Sequence, residues 1–305
     1  MIEQANIFEF TLPTYKIDKP IRLIELFAGI GSQAKALKNL GVDFEHWKVI
    51  EFDKYAMASY NAVHGTNFET SDIKNIHAND LEMRERERYC YILTYSFPCT
   101  DLSLAGKLLG MSKGSGTRSG LLWEVERILD ECNDELPHVL LMENVPNVIG
   151  KNSIKDFQLW RKKLEELGYS NYVELLNAKD FGIPQNRNRC FMVSILGEYN
   201  YSFPKKKKLK LRLKDLLEDK VDEKYYLSQE MVDFFVEDKK EKIDKGGECI
   251  PIKTANSTGY INAYEGDAID ISSRMQWHRG TVQKQRSLTI DTQCMIGVVV
   301  KDEGN

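Results

Sequence analysis

Apolar positions along this chain come in two alternating textures. Short continuous apolar runs mark strands buried on both faces; segments with apolar residues every three or four positions mark helices with one buried side. Residues 21–30, IRLIELFAGI, form the first run and close on glycine. A helix is predicted from Ser32 to Leu40, ended by Gly41. WKVIEF reads as a second strand and DKYAMASYNAV as the helix after it. YCYILTYSF is a third strand, stopped by Pro98, which cannot donate to a ladder. LLWEVERILDECN is an amphipathic helix with Leu122, Val125, Ile128 and Leu129 on one face. HVLLMENV is a strand, SIKDFQLWRKKLEELGY a helix stopped at Gly168, and RCFMVSIL one more strand. Strands alternating with helices predict an α/β fold on a doubly wound, parallel sheet.

The texture changes near Asn200. KKKKLKLRLK is basic, the alternation ends, and residues 245–300 are rich in Gly, Thr, Ser and β-branched residues without a helical period. This divides the chain into a domain at 1–200 and a smaller, mostly β domain at 201–305. The run MRERERY reads as a solvated helix face.

Composition narrows the function only by exclusion. Hydrophobic residues make up 42%, normal for a globular chain. No run of 18 apolar residues spans a bilayer, and no signal peptide is legible, so a cytoplasmic, nucleoid-associated protein is expected. The cysteines at 90, 99, 132, 190, 249 and 294 form no C-x-x-C pair, so neither a zinc site nor a disulfide framework is expected. A net charge of −4 does not advertise nucleic-acid binding, yet a basic groove can sit on an acidic protein.

Three features point to an adenosine pocket at the strand ends. FAGIG joins a strand to a helix, so Gly29 and Gly31 allow close approach of a ligand to the backbone, or simply a tight turn. Glu51 ends the next strand, 22 residues after Gly29, where a carboxylate can accept from both hydroxyls of a ribose. Asp72 could accept from an adenine amino group or serve as a helix N-cap. These features do not separate a nicotinamide cofactor from S-adenosyl-L-methionine.

The chemistry comes from three further segments. In SFPCTDLS, Cys99 follows Pro98 at a strand end, where a thiol can act as a nucleophile. MENVPNV ends an apolar strand in Glu143. FGIPQNRNRCFMV alternates Arg187 and Arg189 with asparagines, and arginine offers a rigid fork to a carbonyl, carboxylate or phosphate. In this order behind FAGIG, these segments resemble the cytosine-5 DNA methyltransferase family. The resemblance covers residues 21–195 and rests on FAGIG, Glu51, Pro98-Cys99, Glu143-Asn144-Val145 and Gln185-x-Arg187-x-Arg189.

The resemblance implies a role for each. Cys99 would add to carbon 6 of cytosine, making carbon 5 nucleophilic. Glu143 would hold N3 and the exocyclic amine, Arg189 the O2 edge, with Arg187 close to the nucleophile. The base must first be flipped out of the duplex. The methyl donor S-adenosyl-L-methionine would meet Phe27, Ala28, Gly29 and Gly31, then Glu51 and Phe52, then Asp72 and Ile73, with Phe97 and Pro98 flanking the methyl group. Double-stranded DNA is the expected partner. The glycine-rich loop Thr100–Ser119 is expected to be a lid, with Ser103, Lys107 and Arg118 meeting DNA. In the C-terminal domain, Arg274, Gln276, Arg279 and Lys284 are expected to reach base edges and phosphates.

Two departures from the family stand out. Thr100 follows the cysteine where Gln is common, and Arg286-Ser287-Leu288-Thr289 is not followed by Pro-x-Glu or by a helix with a G-N-S or G-N-A motif. The open readings are a DNA methyltransferase, a tRNA cytosine-5 methyltransferase, or an inactive DNA-binding fragment. The expected assembly is a monomer, or a pairing with a separate C-terminal subunit. A cognate restriction endonuclease is a further possible partner.

Overall fold

The computed structural model describes residues 12–102, 110–235, 249–271, 280–289 and 295–300. The chain divides into two compact units, Met1–Leu176 with Arg189–Pro204, and Asn177–Asn188 with Lys205–Asn305.

The first unit is built on β1 (Ile21–Leu26), β2 (Phe44–Ile50), β3 (Cys90–Tyr95), β4 (Val139–Asn144), β5 (Tyr169–Asn177) and β6 (Asn188–Leu196). They hydrogen-bond in the order β2-β1-β3-β4-β6-β5. Helices α1 (Ser32–Asn39), α2 (Lys54–His64), α3 (Ala78–Leu81), α4 (Leu122–Glu131) and α5 (Ile154–Glu166) lie in the connections. The α/β class is as expected, but the sheet is mixed rather than wholly parallel. β1 pairs in parallel with β2 and β3, and β3 with β4, whereas β4 and β6 are antiparallel. The reason lies in β5, an edge strand absent from the sequence reading because half-exposed polar residues break its apolar pattern. Ten residues, too few for a helical crossover, separate β5 from β6, so β6 runs back beside it.

The anticipated face of α4 is the core of this unit. Leu122, Val125, Ile128 and Leu129 are fully buried against Tyr95, Met142 and Trp160. The Trp160 indole donates to the Tyr95 hydroxyl at 3.1 Å, so the buried polar atoms are satisfied. MRERERY is a loop and turn, not a helix face. Met83 is buried there, and Glu85 accepts from Arg22, whose guanidinium lies between the rings of Trp47 and Tyr89. With both faces of the sheet covered, chemistry is left to the C-terminal strand ends.

The second unit carries α6 (Gln229–Phe235), a hairpin of β7 (Cys249–Lys253) and β8 (Tyr260–Tyr264), and a three-stranded sheet. In that sheet β9 (Ala268–Asp270) lies between β10 (Thr281–Gln283) and β11 (Ile296–Val298), antiparallel to both. Phe235, Ile252, Ala263, Ile269, Ile271 and Val299 form its small core. The unit also takes in Asn177–Asn188, which a division at residue 200 assigns to the first domain. Backbone pairing is the cause: Asn186 N donates to Ser287 O at 2.9 Å and Ser287 N to Pro184 O at 2.8 Å.

Candidate active site

The FAGIG turn is wound by left-handed backbone. Phe27, Gly29 and Gly31 have φ of 57°, 56° and 77°. For Phe27 this is a strained conformation, of the kind held in place at functional turns. Ala28 N donates to Ile50 O at 3.1 Å, which ties the turn to the end of β2. Glu51 closes the arrangement: its carboxylate accepts from Gly29 N and Asp53 N, both at 2.8 Å. The Gly29 amide is therefore taken by Glu51, and the Gly31 amide by Ala28 O at 2.9 Å. Both amides therefore serve the turn itself, the second of the two readings that the sequence left open.

The two glycines serve different ends. A Cβ on Gly29 would meet nothing within 4 Å, so open space lies beside it. A Cβ on Gly31 would fall 2.3 Å from His64 Nε2 and 2.6 Å from Tyr60. Gly31 is small so that α2 can pack under the turn.

These residues fit an adenosyl group. A carboxylate has about four lone-pair sites, and the two backbone amides leave Glu51 capacity for hydroxyl groups. The Phe52 ring is 75% exposed beside it, a flat apolar surface on which a purine can stack. Asp72 Oδ1 caps the following 3₁₀ turn through Lys74 N at 3.0 Å, so its capping role is present in the structure. Ile73 is buried in the core, as is the Phe97 ring, so their side chains serve packing.

Beneath the turn lies a buried polar chain that sequence reasoning missed. Glu25 sits in β1 with 1% of its surface exposed; a carboxylate flanked by Ile24 and Leu26 in a mostly apolar strand was the available signal. The Tyr60 hydroxyl donates to Glu25 Oε2 at 2.5 Å, and Ala34 N to Oε1 at 3.3 Å. The Tyr60 oxygen also meets His46 Nδ1 at 2.6 Å. Because that hydroxyl proton is given to Glu25, His46 is the donor there. Burial raises the Glu25 pKa to about 6, against the opposing pull of its hydrogen bonds from Tyr60 and Ala34.

Cys99 follows β3 on a segment whose backbone is held almost residue by residue. Asn144 Nδ2 donates to Phe97 O at 3.0 Å, Ser119 Oγ to Pro98 O at 2.7 Å, and Leu102 N to Cys99 O at 3.0 Å. Ser119 and Asp101 exchange further bonds, and Asn147 Nδ2 donates to Leu102 O at 2.9 Å. Cys99 itself is half-buried. Burial pushes the Cys132 and Cys190 thiols up to about 12 and raises that of Cys90, which leaves them inert. Cys249, in the second unit, is the other half-buried cysteine among the described residues.

Glu143 and Arg189 meet on neighbouring strands. β4 and β6 run antiparallel, with Asn144 opposite Cys190, and Arg189 Nε lies 2.9 Å from Glu143 Oε1. Both side chains are about four-fifths buried, so the pair is fixed at one end of the sheet. Arg187 falls in the second unit, where its amide donates to Asn177 Oδ1 at 3.2 Å and its carbonyl accepts from Ala178 N at 3.0 Å.

Of the loop Thr100–Ser119, expected to be a lid, residues 110–119 are among the described residues and are packed. Met111 is fully buried, and Trp123 Nε1 donates to its carbonyl at 2.7 Å. Ser112 Oγ donates to Asp156 at 3.0 Å, and Lys113 pairs with Glu126. The second half of the loop is fastened to α4 and α5 because these side chains complete the core and its rim. Arg118 stands exposed at the end of that half. Ser103 and Lys107 lie outside the described residues, as do Arg274, Gln276 and Arg279. Lys284 is turned inward: its Nζ lies 2.9 Å from Asp267, a carboxylate 1% exposed that needs a cation. Gln285, the next residue, donates to the same carboxylate. Both residues are engaged in holding the second unit together.

A mixed α/β sheet, a carboxylate-closed glycine turn, a strand-end cysteine and a Glu–Arg pair at the ends of neighbouring strands point to a family. The chain belongs to the C-5 cytosine-specific DNA methylases, whose family model matches residues 21–301. These enzymes use S-adenosyl-L-methionine as methyl donor. The chain is 37% identical over 261 residues to the type II methyltransferase M2.ScrFI of Lactococcus lactis subsp. cremoris, covering 70% of this chain and 71% of the relative. It is 36% identical over 299 residues to the orphan methyltransferase M.SssI of Spiroplasma monobiae, covering 80% and 77%. Its fold resembles the S. pombe Dnmt2 methyltransferase, with a TM-score of 0.54 at 24% identity over 70% of this chain. The chain spans 64% of that protein's length.

Proposed function

We propose that this protein methylates carbon 5 of a flipped-out cytosine in a specific double-stranded DNA sequence, through a covalent Cys99 adduct. The observation that carries the reading is a half-buried cysteine at the end of β3, with a fixed carboxylate–guanidinium pair at the end of the adjoining strands. Carbon 5 of cytosine is a weak nucleophile. Addition of the Cys99 thiolate to carbon 6 moves electron density onto carbon 5 and N3. Glu143 holds N3 and the exocyclic amine, and Arg189 the O2 edge, so the developing charge is met by groups already in place. Their mutual ion pair orients both before the base arrives. When bound, S-adenosyl-L-methionine supplies an electrophilic methyl group. Glu51 and Phe52 would hold its ribose and purine. Loss of the carbon-5 proton to a base and expulsion of the Cys99 thiolate then restore the aromatic ring.

The test is methyl transfer from tritiated donor to duplex DNA and, in parallel, to tRNA. Label in DNA supports the reading; label confined to tRNA, or none in either, overturns it. Cys99→Ser should abolish transfer with the circular dichroism spectrum unchanged. DNA carrying 5-fluorocytosine, which blocks proton loss at carbon 5, should trap Cys99. An adduct on another cysteine would remove Cys99 from the role.

A further inference from the structure

The segment Lys205–Lys214 reads KKKKLKLRLK, yet the chain as a whole carries a net charge of −4. Lys205 to Lys208, then Lys210, Arg212 and Lys214, are all exposed. Only Lys206 is in an ion pair among the described residues, 3.0 Å from Asp180.

Residues 205–212 are neither helix nor sheet, Leu213 and Lys214 open a short 3₁₀ turn, and the run is fastened. Lys207 N donates to Asp180 O at 2.7 Å, and Leu213 N to Gln285 O at 3.1 Å. Leu213 is buried at the far pin. Between the pins Leu209 and Leu211 alternate with Lys208, Lys210 and Arg212. In extended chain, alternate side chains share a side and lie about 6.8 Å apart. That is twice the roughly 3.4 Å axial rise per phosphate along one DNA strand. A tethered row of cations at this spacing loses little freedom when it meets a row of phosphates. A solvated linker would need no such pins.

We propose that Lys207–Arg212 is a backbone-tracking strap that binds the phosphates of one strand of duplex DNA without reading its sequence. This rests on the DNA reading above and adds to it the surface that supplies sequence-independent affinity. Arginine and lysine contacts to phosphate release counterions, so each leaves its mark on the salt dependence of binding.

The test is fluorescence anisotropy of the full-length protein with duplex DNA, from 50 to 300 mM salt. The comparison is a variant carrying Lys207→Gln, Lys208→Gln, Lys210→Gln and Arg212→Gln. All four side chains are exposed, so the fold should survive, as a thermal melt would check. The expected result is a fall of about 3 to 4 in the slope of log affinity against log salt. Affinity should drop at least tenfold for every duplex alike, leaving ratios between sequences unchanged. A slope equal to that of wild type overturns the strap and leaves the DNA reading intact. Wild-type protein that binds no duplex at any salt overturns both. A slope change seen with tRNA and not with duplex DNA overturns the strap as stated.

Discussion

Ser119 Oγ donates to the carbonyl of Pro98 at 2.7 Å, one residue before Cys99 and 21 residues away in sequence. The Ser119 side chain has no solvent exposure, and it also accepts from Asp101 N. Ser119→Ala should therefore leave a part-buried carbonyl and amide without partners, at about 1–3 kcal/mol. Because Ser119 acts through the Cys99 backbone, kcat should fall while affinity for the methyl donor stays unchanged. Ser119→Thr should recover part of the rate. Equal loss of both quantities would reduce Ser119 to a general stability role.

Glu51 is expected to carry donor affinity. Glu51→Ala should weaken S-adenosyl-L-methionine binding by about 1–3 kcal/mol, the scale for losing hydrogen bonds to a charged group. Glu51→Gln keeps one acceptor for the Gly29 or Asp53 amide and should retain more affinity. Calorimetry giving wild-type affinity for Glu51→Ala would take the residue out of the pocket.

Glu25 gives stability a pH dependence of known sign. Its folded pKa is raised by burial to about 6 from an ordinary 4.5, so the native state holds the proton more tightly than the unfolded chain. Its contribution is fully present below pH 4.5 and is lost as pH rises through 6. The loss is about 2 kcal/mol. Half-buried His46 has a lowered pKa, chiefly from desolvation, and works in the opposite sense: its contribution is present above the ordinary histidine value and is lost on acidification. The difference between wild-type and Glu25→Gln melts isolates the first effect. That difference should change between pH 4.5 and 6.5 and be flat above pH 7.

Lys284 should behave as a residue of the fold. Burial alone would raise the Asp267 pKa, but hydrogen bonds from Tyr264 N, Lys284 and Gln285 N hold it below the ordinary value. Lys284→Met removes the cation and should cost the second unit about 1–2 kcal/mol, moderated because Lys284 is half exposed. The salt slope of DNA binding should not move. A reduced slope with an unchanged melt would make Lys284 a phosphate contact.

What the sequence disclosed depends on the range of the interaction. The place of Glu51 just after β2 was legible because the apolar run before it is local. The face of α4 was legible because its period is local. Lys284 looked like a DNA contact because its partner, Asp267, lies 17 residues upstream and nothing local pairs it. The loop before Ser119 looked loose because glycines are visible in a sequence, whereas the pocket that receives Met111 is not. β5 escaped because an edge strand need not be apolar on both faces.

The excursion of Asn177–Asn188 has a practical consequence for protein engineering. The polypeptide passes between the two units three times, at 176/177, 188/189 and 204/205, so the second unit is not a simple C-terminal cassette. A chimera cut once at residue 204 would graft foreign residues opposite Pro184, Gln185 and Asn186, whose bonds to Ser287 and Leu288 come from this chain's own sequence. Exchange of target preference with a relative should therefore succeed only when both segments travel together.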